Sequence, residues 1–549
     1  MAERIKNYSP AFLRLLAGRG LTDSAAIEGF LSADLSALHD PFLMKNMREV
    51  KSRLEEAIRK KERMLLHGDY DADGITGVAV MVKVLEKLGG DFLTFLPERE
   101  RHGYGVSEEA ILKAHREGAK LVITIDCGIT AREEIRLARS LGMEVIVIDH
   151  HRLPPEGLPD THLILNPLQE DCVYPFKELS AAGLAFKLAQ AMIGEESIAL
   201  LDLVAISTIS DIAPLVSENR ALVRCGLAEL SARRRMGVKC LAEVAKIRSQ
   251  KIDTGHVGFI LGPRINAAGR MSSPDTALRL LLTDSQREAM SLANILNEEN
   301  RARQQQEREI TKEAIAKVER TVNFNRDRII VAAGEGWHQG VIGIVASRLV
   351  EKYRRPAIVI AVEGDKGKGS GRSIKGFHLF NALQSCAGLL EEFGGHEQAA
   401  GLSIRAGNLK AFREEINAYA LENLDPAIMV RKVPVDLEIG FGDLTTVFLR
   451  ELELLEPFGV GNPRPVFLTR GLSVKTRPRK IYGETYEIVV GDGSANYPAL
   501  INEKQMFRLA TARPGSKYDF AYTVKTRVWN GIETLSLDAK EMKEPADPD

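Results

Sequence analysis

The sequence predicts a multidomain α/β protein. An alternating strand–helix region forms a parallel sheet, a long polar helix leads to a smaller α/β unit, and the chain finishes in a small β-barrel. Three observations predict this. Apolar runs at Met64-Leu65-Leu66, Leu121-Val122-Ile123-Thr124-Ile125 and Val145-Ile146-Val147-Ile148 each end in an acidic cluster, with helical patterns between them. Strands alternating with helices imply a parallel sheet. Residues 294–317 are rich in Glu, Arg and Gln and have few apolar positions. From about residue 465 to 537 the pattern breaks into short strands separated by turn residues.

The elements follow in order. Residues 1–50 read as an N-terminal helical extension, with a helix over 24–31 that ends near Pro41. Residues 51–293 hold the parallel sheet. Within them, 199–209 is nearly continuously apolar, a buried helix that delivers Asp211 and is stopped by Pro214. Residues 294–320 form a connecting helix, polar all round and therefore expected to be exposed as a bridge between domains. Residues 321–425 form a second αβ unit, with strands at 328–333 and 357–361, a helix over 341–352, and glycine-rich turns at 367–371 and 394–395. Residues 426–549 contain the barrel, with strands at 466–468, 486–490, 518–522 and 533–537.

Composition narrows the class. A chain of 549 residues exceeds one ordinary core, so roughly three or four domains are expected. Hydrophobic content of 44% with 27% charged residues belongs to a soluble globular protein. A net charge of -1 does not advertise a polyanion partner, and does not exclude one, because a basic groove can be offset elsewhere. Five scattered cysteines without a CxxC pair suit a reducing compartment and argue against a zinc ribbon. The N-terminus leads into no apolar segment of signal-peptide type, and no apolar run is long enough to span a bilayer, so a cytoplasmic location without membrane contact is expected.

The acidic clusters carry the chemistry. They are His67-Gly68-Asp69-Tyr70-Asp71-Ala72-Asp73-Gly74, Asp126-Cys127-Gly128 and Asp149-His150-His151. All strands of a parallel sheet end on one edge, where ligands bind. Carboxylates and imidazoles converging there repel one another unless cations sit between them. Asp71 and Asp73 lie two apart and face one side if the segment stays extended, at a turn tip that exposes them. His67, four residues before Asp71, is within reach of the same ion. Carboxylate oxygen suits Mg²⁺ and Mn²⁺, and imidazole shifts preference toward Mn²⁺. The plain alternative is that Asp69, Asp71 and Asp73 are turn and capping residues. Three acids at consecutive strand ends are hard to explain by capping alone, and Asp211 adds a fourth. Asp126, near the middle, is the candidate to bridge two metals about 4 Å apart.

The HGDYDADG, DCG and DHH motifs, with Asp211 following, resemble the DHH phosphoesterase superfamily. Four later segments resemble the bacterial RecJ-type single-strand exonucleases: Leu261-Gly262-Pro263-Arg264-Ile265-Asn266-Ala267-Ala268-Gly269-Arg270-Met271, the run from Trp337-His338-Gln339-Gly340 to Arg348, Gly369-Ser370-Gly371-Arg372-Ser373, and Gly394-Gly395-His396. The likeness runs from about residue 40 to the barrel. It implies a DHH domain and a DHHA1 domain facing across a cleft, with a C-terminal OB-fold. It also implies 5′-to-3′ removal of nucleotides from single-stranded DNA in repair and recombination, with two Mn²⁺ or Mg²⁺ ions per active site. Carried across by motif, Asp71, Asp73, Asp126, His150 and Asp211 are metal ligands, and His67 matches a ligand histidine of related enzymes. Asp69 and His151 take catalytic roles. The resemblance further implies a monomer, with a single-strand-binding protein and a helicase as partners.

His151 is suited to donate to a phosphoryl oxygen or protonate the leaving group; the alternative is that it orients a ligand. Arg99, Arg264, Arg270, Arg348 and Arg372 are candidate phosphate readers, since the guanidinium fork fits phosphate oxygens. Each has the alternative of an ion pair. Ser370 and Ser373 flank Arg372 in a glycine loop expected to cradle a phosphate. Asn266, His338 and His396 complete the substrate candidates. In the barrel, Lys475, Arg477, Arg479 and Lys480 alternate with Tyr482 and Tyr486, and Trp529 is a candidate to stack on a base. Phe467 and Phe520 are assigned to the core. A second reading is a DHH/DHHA1 phosphodiesterase of short oligonucleotides or cyclic dinucleotides, which has no need of the barrel. A third, a catalytically dead DNA-binding scaffold, conflicts with the complete set of carboxylates.

Overall fold

The chain folds as two units, one of Pro41–Asp211 with Ala228–Arg431 and one of Met1–Asp40 with Ile212–Leu227 and Lys432–Asp549. The computed structural model describes residues 8–99, 101–103, 105–430, 432–511, 515–529 and 532–544, with the side chains of 526–529 and 532–533 left out.

The larger unit begins with the expected parallel sheet. Strand β1 (Arg63–His67) leads into helix α1 (Ala72–Leu88), followed by β2 (Asp91–Phe95), β3 (Ala119–Ile125), β4 (Glu144–Ile148) and β5 (Ile164–Leu165). The order is β2-β1-β3-β4-β5, with every pairing parallel. Register places His67 opposite Thr124, and Ile125 opposite Ile148, so the acidic segments after β1, β3 and β4 leave one edge side by side. The central strands are unbroken apolar runs because helices cover both faces. Helix α2 (Ala181–Ile193) packs on β3 and β4, and α3 (Leu201–Ser210) packs on α1 and α2 and is buried from Leu201 through Thr208, which fits its lack of a polar face.

Helix α4 (Gly262–Met271) follows a π-helical turn, Val257–Leu261. It presses on the first acidic segment, where a Cβ on Gly269 would stand 2.2 Å from the Tyr70 carbonyl oxygen. Helix α5 (Gln286–Thr321) starts earlier than expected and is not exposed all round. It buries Ala289, Leu296, Asn297, Asn300, Arg303, Ile310 and Val318 along one stripe. Part of that stripe is polar. Arg303 donates to Asn300 Oδ1 and pairs with Glu307 at 2.8 Å, which conceals the buried face from hydropathy.

The second sheet comprises β6 (Ile330–Glu335), β7 (Ala357–Glu363), β8 (Lys366–Arg372), β9 (Leu390–Gly395) and β10 (Ala399–Arg405), in the order β6-β7-β8-β10-β9. Helix α6 (Ile342–Tyr353) joins the parallel pair β6–β7, and the other pairings are antiparallel. The glycine loop expected at 367–371 is in fact strand β8. Its glycines alternate onto the face covered by large side chains: a Cβ on Gly369 would lie 2.8 Å from Leu402, and one on Gly371 2.7 Å from Leu379. Lys368, Ser370 and Arg372 take the opposite face by the two-residue period of a strand.

The smaller unit holds the C-terminal sheet: β11 (Leu437–Glu438), β12 (Phe467–Val474), β13 (Arg479–Tyr482), β14 (Thr485–Gly491), β15 (Asn496–Asn502), β16 (Lys517–Trp529) and β17 (Ile532–Lys543). The order β11-β12-β16-β17-β15-β14-β13, with an extra β12–β14 pairing, curls the sheet on itself as in an OB-fold. Phe467 and Phe520 lie in its core, as expected, and Ala11, Phe12, Leu15 and Leu16 of helix Pro10–Gly18 share that core. Residues 8–40 thus fold with the barrel, while the helix Met47–Lys60 belongs to the larger unit. Arg220, 1% exposed, donates to the carbonyls of Phe30, Leu454, Leu455, Glu456 and Pro457, so its buried charge is satisfied by backbone dipoles.

Gly269→Ala is expected to lower stability by about 1–3 kcal/mol through overpacking against Tyr70. Gly29→Ala, in a helix with open space around it, is expected to be neutral or stabilising. Denaturant unfolding of both variants checks the contrast.

Candidate metal centre and nucleic-acid cleft

The acidic segments are held by backbone donors. Asp71 is the N-cap of α1, and its Oδ1 accepts the N–H groups of Asp73 at 2.9 Å and Gly74 at 3.3 Å. The segment is therefore not extended; Asp71 and Asp73 stand on a helix start, and capping and site-building are the same geometry. Asp73 accepts from the N–H groups of Ala181 (2.8 Å) and Ala182 (2.9 Å) at the start of α2, and from Ser207 Oγ of α3 (2.6 Å). Asp126 has φ of 64°, a left-handed conformation that Asp tolerates better than most residues, and its N–H donates to Ile148 O at 2.9 Å. Gly128 is required by the same turn, since φ is 110° and a Cβ would meet Thr124 Oγ1 at 2.4 Å. Asp211 is delivered by the end of α3.

These turns gather the donors. Three sets have ligand atoms within 4.8 Å of one another: Asp69 with Asp71 and Asp126, Asp73 with His150 and Asp211, and Asp126 with His150 and His151. His150 Nε2 lies 3.2 Å from Asp126 Oδ1, 3.6 Å from Asp73 Oδ2 and 3.9 Å from Asp211 Oδ2. Asp126 and His150 each occur in two sets. The carboxylates are not displayed at a turn tip, however: Asp69 and Asp126 are each 3% exposed and Asp73 2%. Burial, and then neighbouring carboxylates, raise the pKa values. Asp69 and Asp211 are each pushed up to about 8, and Asp71 and Asp126 are raised as well. Asp69 Oδ1 and Asp126 Oδ1 are buried and accept no hydrogen bond among the described residues. Buried, crowded carboxylates with unsatisfied oxygens fit divalent cations.

His67 does not join them. It is fully buried, its Nε2 accepts the Ser107 N–H at 3.0 Å, and its Nδ1 lies 3.7 Å from Cys127 Sγ. Lying at the end of β1, it points beneath the acidic turn and supports it. Asp149, a residue given no role of its own by the sequence, does enter the site. Its Oδ2 accepts the Ile129 N–H at 2.9 Å and its Oδ1 holds His151 Nδ1 at 2.7 Å. Burial alone would lower the His151 pKa, but the Asp149 hydrogen bond and charge outweigh it and push the imidazole up to about 9. Its signal was the acid directly preceding two histidines at a strand end.

A cleft of about 850 Å³ adjoins the cluster, lined by Tyr70, Arg99, His151, Arg270, Ser370, Arg372 and His396. Arg99 stands 5.8 Å from the Tyr70 ring centroid. Burial lowers the Arg372 and Arg270 pKa values, the latter to about 10, which leaves Arg270 cationic at neutral pH. Arg372 donates to Ser370 Oγ (3.2 Å) and Gly371 O (2.8 Å).

Other substrate candidates lie elsewhere. Arg264 donates to Ile260 O and Asn297 Oδ1 within its own helical layer, and does not line the cleft. Ser373 Oγ donates to the carbonyls of Ile374 and Phe377, and His338 Nδ1 accepts the Gly340 N–H, so both serve local turns. Asn266 Oδ1 accepts the Ala72 N–H at 2.7 Å and thereby holds the acidic turn. Arg348 pairs with Glu307 and Glu351. The Trp529 side chain lies outside the described residues.

Residues 63–208 match the DHH family, N-terminal domain, residues 326–422 the DHHA1 domain, and residues 435–541 the RecJ OB domain. The chain is 41% identical over 461 residues to the single-stranded-DNA-specific exonuclease RecJ of Bacillus subtilis (strain 168), covering 84% of this chain but 58% of that relative. It is 37% identical over 485 residues to the protein of the same name from Escherichia coli (strain K12), covering 83% of each. The structure of RecJ in complex with Mn²⁺ from Thermus thermophilus matches with a TM-score of 0.84 at 33% identity, over 98% of this chain and 76% of that one.

The raised carboxylates predict a pH signature. Without cations, Asp69 and Asp211 keep protons up to about pH 8 that the unfolded chain releases near pH 4, so their contribution to stability falls as pH rises through that window. Cations replace those protons. The gain in melting temperature on adding Mn²⁺ is therefore expected to be larger at pH 8 than at pH 6, and to shrink in Asp126→Asn, as read by thermal denaturation with and without the ion.

Proposed function

The chain belongs to the family of RecJ single-stranded-DNA-specific exonucleases, and from that premise we propose that it hydrolyses single-stranded DNA from the 5′ end to mononucleotides. The observation that carries this is the convergence of Asp69, Asp71, Asp73, Asp126, His150 and Asp211 beside a cleft bearing Arg99, Arg270 and Arg372. One side of the site can hold cations, and the other can hold phosphates.

A pair of bound Mn²⁺ or Mg²⁺ ions would lower the pKa of an attacking water and polarise the scissile phosphate. Asp126 and His150 stand where two ligand sets meet; Asp69 and Asp71 complete one, and Asp73 and Asp211 another. Asp73 is fixed by three hydrogen bonds and Asp71 by two, so the ligands are oriented before substrate arrives. His151, kept protonated by Asp149, carries an N–H on each ring nitrogen at neutral pH. Its ring lines the cleft, suited to donate to a phosphoryl oxygen or to protonate the leaving oxygen. Arg99, Arg270 and Arg372, with Ser370 and His396, orient the terminal nucleotide through its phosphate.

In this reading residues 51–293 hold the catalytic groups, 321–425 the substrate-facing sheet, and 426–549 a further stretch of the strand. On the barrel, β13 exposes Arg479, Lys480 and Tyr482, a basic and aromatic strip suited to a single strand. The five cysteines are thiols, which suits a reducing cytoplasm, and the enzyme acts there as a monomer. No helix among the described residues is long and apolar enough to cross a membrane. A single-strand-binding protein and a helicase are the candidate partners, since each presents single strands.

An end-labelled single strand with Mn²⁺ is expected to yield mononucleotides from the 5′ end; turnover of dinucleotides alone would favour the short-oligonucleotide reading. Arg372→Ala is expected to lower kcat/KM roughly 10- to 100-fold on 5′-phosphorylated strands, the loss of one charged hydrogen-bonding group. The effect should be much smaller on 5′-hydroxyl strands. Asp126→Asn is expected to lower turnover by about 100-fold or more while the fold persists.

A further inference from the structure

Behind Arg270 lies a second cavity of about 410 Å³, whose lining includes Phe259, Asn266, Arg303, Glu307, Arg308 and Arg348. Arg270 lines both this cavity and the cleft, and its guanidinium donates to Gly340 O at 3.0 Å. Arg270 is the residue that the two linings share. Asn266 links the second cavity to the acidic turn, because its Oδ1 accepts the N–H of Ala72, between Asp71 and Asp73. The cavity abuts the metal-binding segment yet is lined by none of its carboxylates.

Its chemistry suits a small nucleotide. Four arginines face one carboxylate, Glu307, which pairs with Arg303 at 2.8 Å and Arg348 at 3.0 Å. Arg308 is exposed, donates to Gln305 Oε1 at 3.0 Å, and has no carboxylate partner among the described residues. Phe259 is 82% exposed on the π-helical turn Val257–Leu261. Core packing does not explain a phenyl ring left that far in water, and π-helical turns concentrate at functional positions. A ring beside guanidinium groups offers a face for a base and forks for a phosphate.

We propose that this second cavity is an exit site for the cleaved nucleoside 5′-monophosphate, an assignment that rests on the exonuclease reading. A nucleotide cut from the end of a strand lies beyond the remaining strand. A route behind Arg270 lets it leave while the strand stays bound. Phe259 takes the base, Arg308 and Arg348 take the phosphate, and Arg270 is the side chain that moves.

The test is binding of dAMP to the full chain in EDTA, where no hydrolysis occurs, measured by calorimetry in an Arg372→Ala background that disables the cleft's phosphate contact. Saturable binding is expected to persist in that background. Adding Phe259→Ala or Arg308→Glu should weaken it at least about fivefold, the lower range for one stacked base. Both side chains are exposed, and thermal denaturation checks that the variants are folded. Loss of dAMP binding on Arg372→Ala alone, or binding unchanged by both added substitutions, would overturn the exit site while leaving the exonuclease reading intact. Failure of the wild type to cut a single strand with Mn²⁺ would instead overturn the exonuclease reading.

Discussion

Like charges brought together out of water are the constraint around which the larger unit is organised. Asp69, Asp71, Asp73, Asp126 and Asp211 converge, with Asp69, Asp73 and Asp126 buried, and they do so only if protons or cations offset their repulsion. Such a cluster needs rigid support that does not neutralise it. Here the support is backbone amide: Asp71 on the first turn of α1, Asp73 on the first turn of α2, and Asp149 on the turn after β3. Helix N-termini favour negative charge, so each cap both holds an acid and leaves it able to bind an ion.

The same economy of parts shapes the other side of the cleft. Strand β8 alternates glycine with Lys368, Ser370 and Arg372. The glycines let the strand lie under Ile360, Leu402 and Leu379, and the polar side chains take the opposite face. The Arg372 guanidinium is thereby set on a paired strand in the middle of a sheet, which fixes it more firmly than a loop would. Arg270 comes from helix α4 and bonds Gly340 O, so one wall of the cleft is itself a contact between α4 and the turn that precedes α6.

Several expectations failed for reasons that lie in packing. His67 has the residue type and spacing of a metal ligand, but the direction of its side chain is set by the pleat of β1, which aims it under the turn at Ser107 and Cys127. Arg264 belongs to a segment that resembles substrate-binding sequence, yet it faces Ile260 and Asn297, whereas Arg270, six residues on, reaches the cleft. The buried stripe of α5 includes Asn297, Asn300 and Arg303, and polar residues that satisfy one another read as solvent-facing until their partners are known. The first 40 residues carry an amphipathic helix whose apolar side gives no hint that it completes a barrel more than 400 residues away.

Local sequence determined the parallel sheet, the order of its acidic strand ends, the acidic and histidine side chains that converge there and the presence of a C-terminal barrel. Each of these depends on periodicity, or on residues a few positions apart, which a linear reading contains. Tertiary structure alone decided that Asp69, Asp73 and Asp126 are buried, that Asp149 holds the His151 ring, that β8 is a strand, and that Arg270 lines two cavities. Those outcomes depend on which distant surfaces meet and how much water they exclude, and desolvation has no counterpart in the order of residues along the chain.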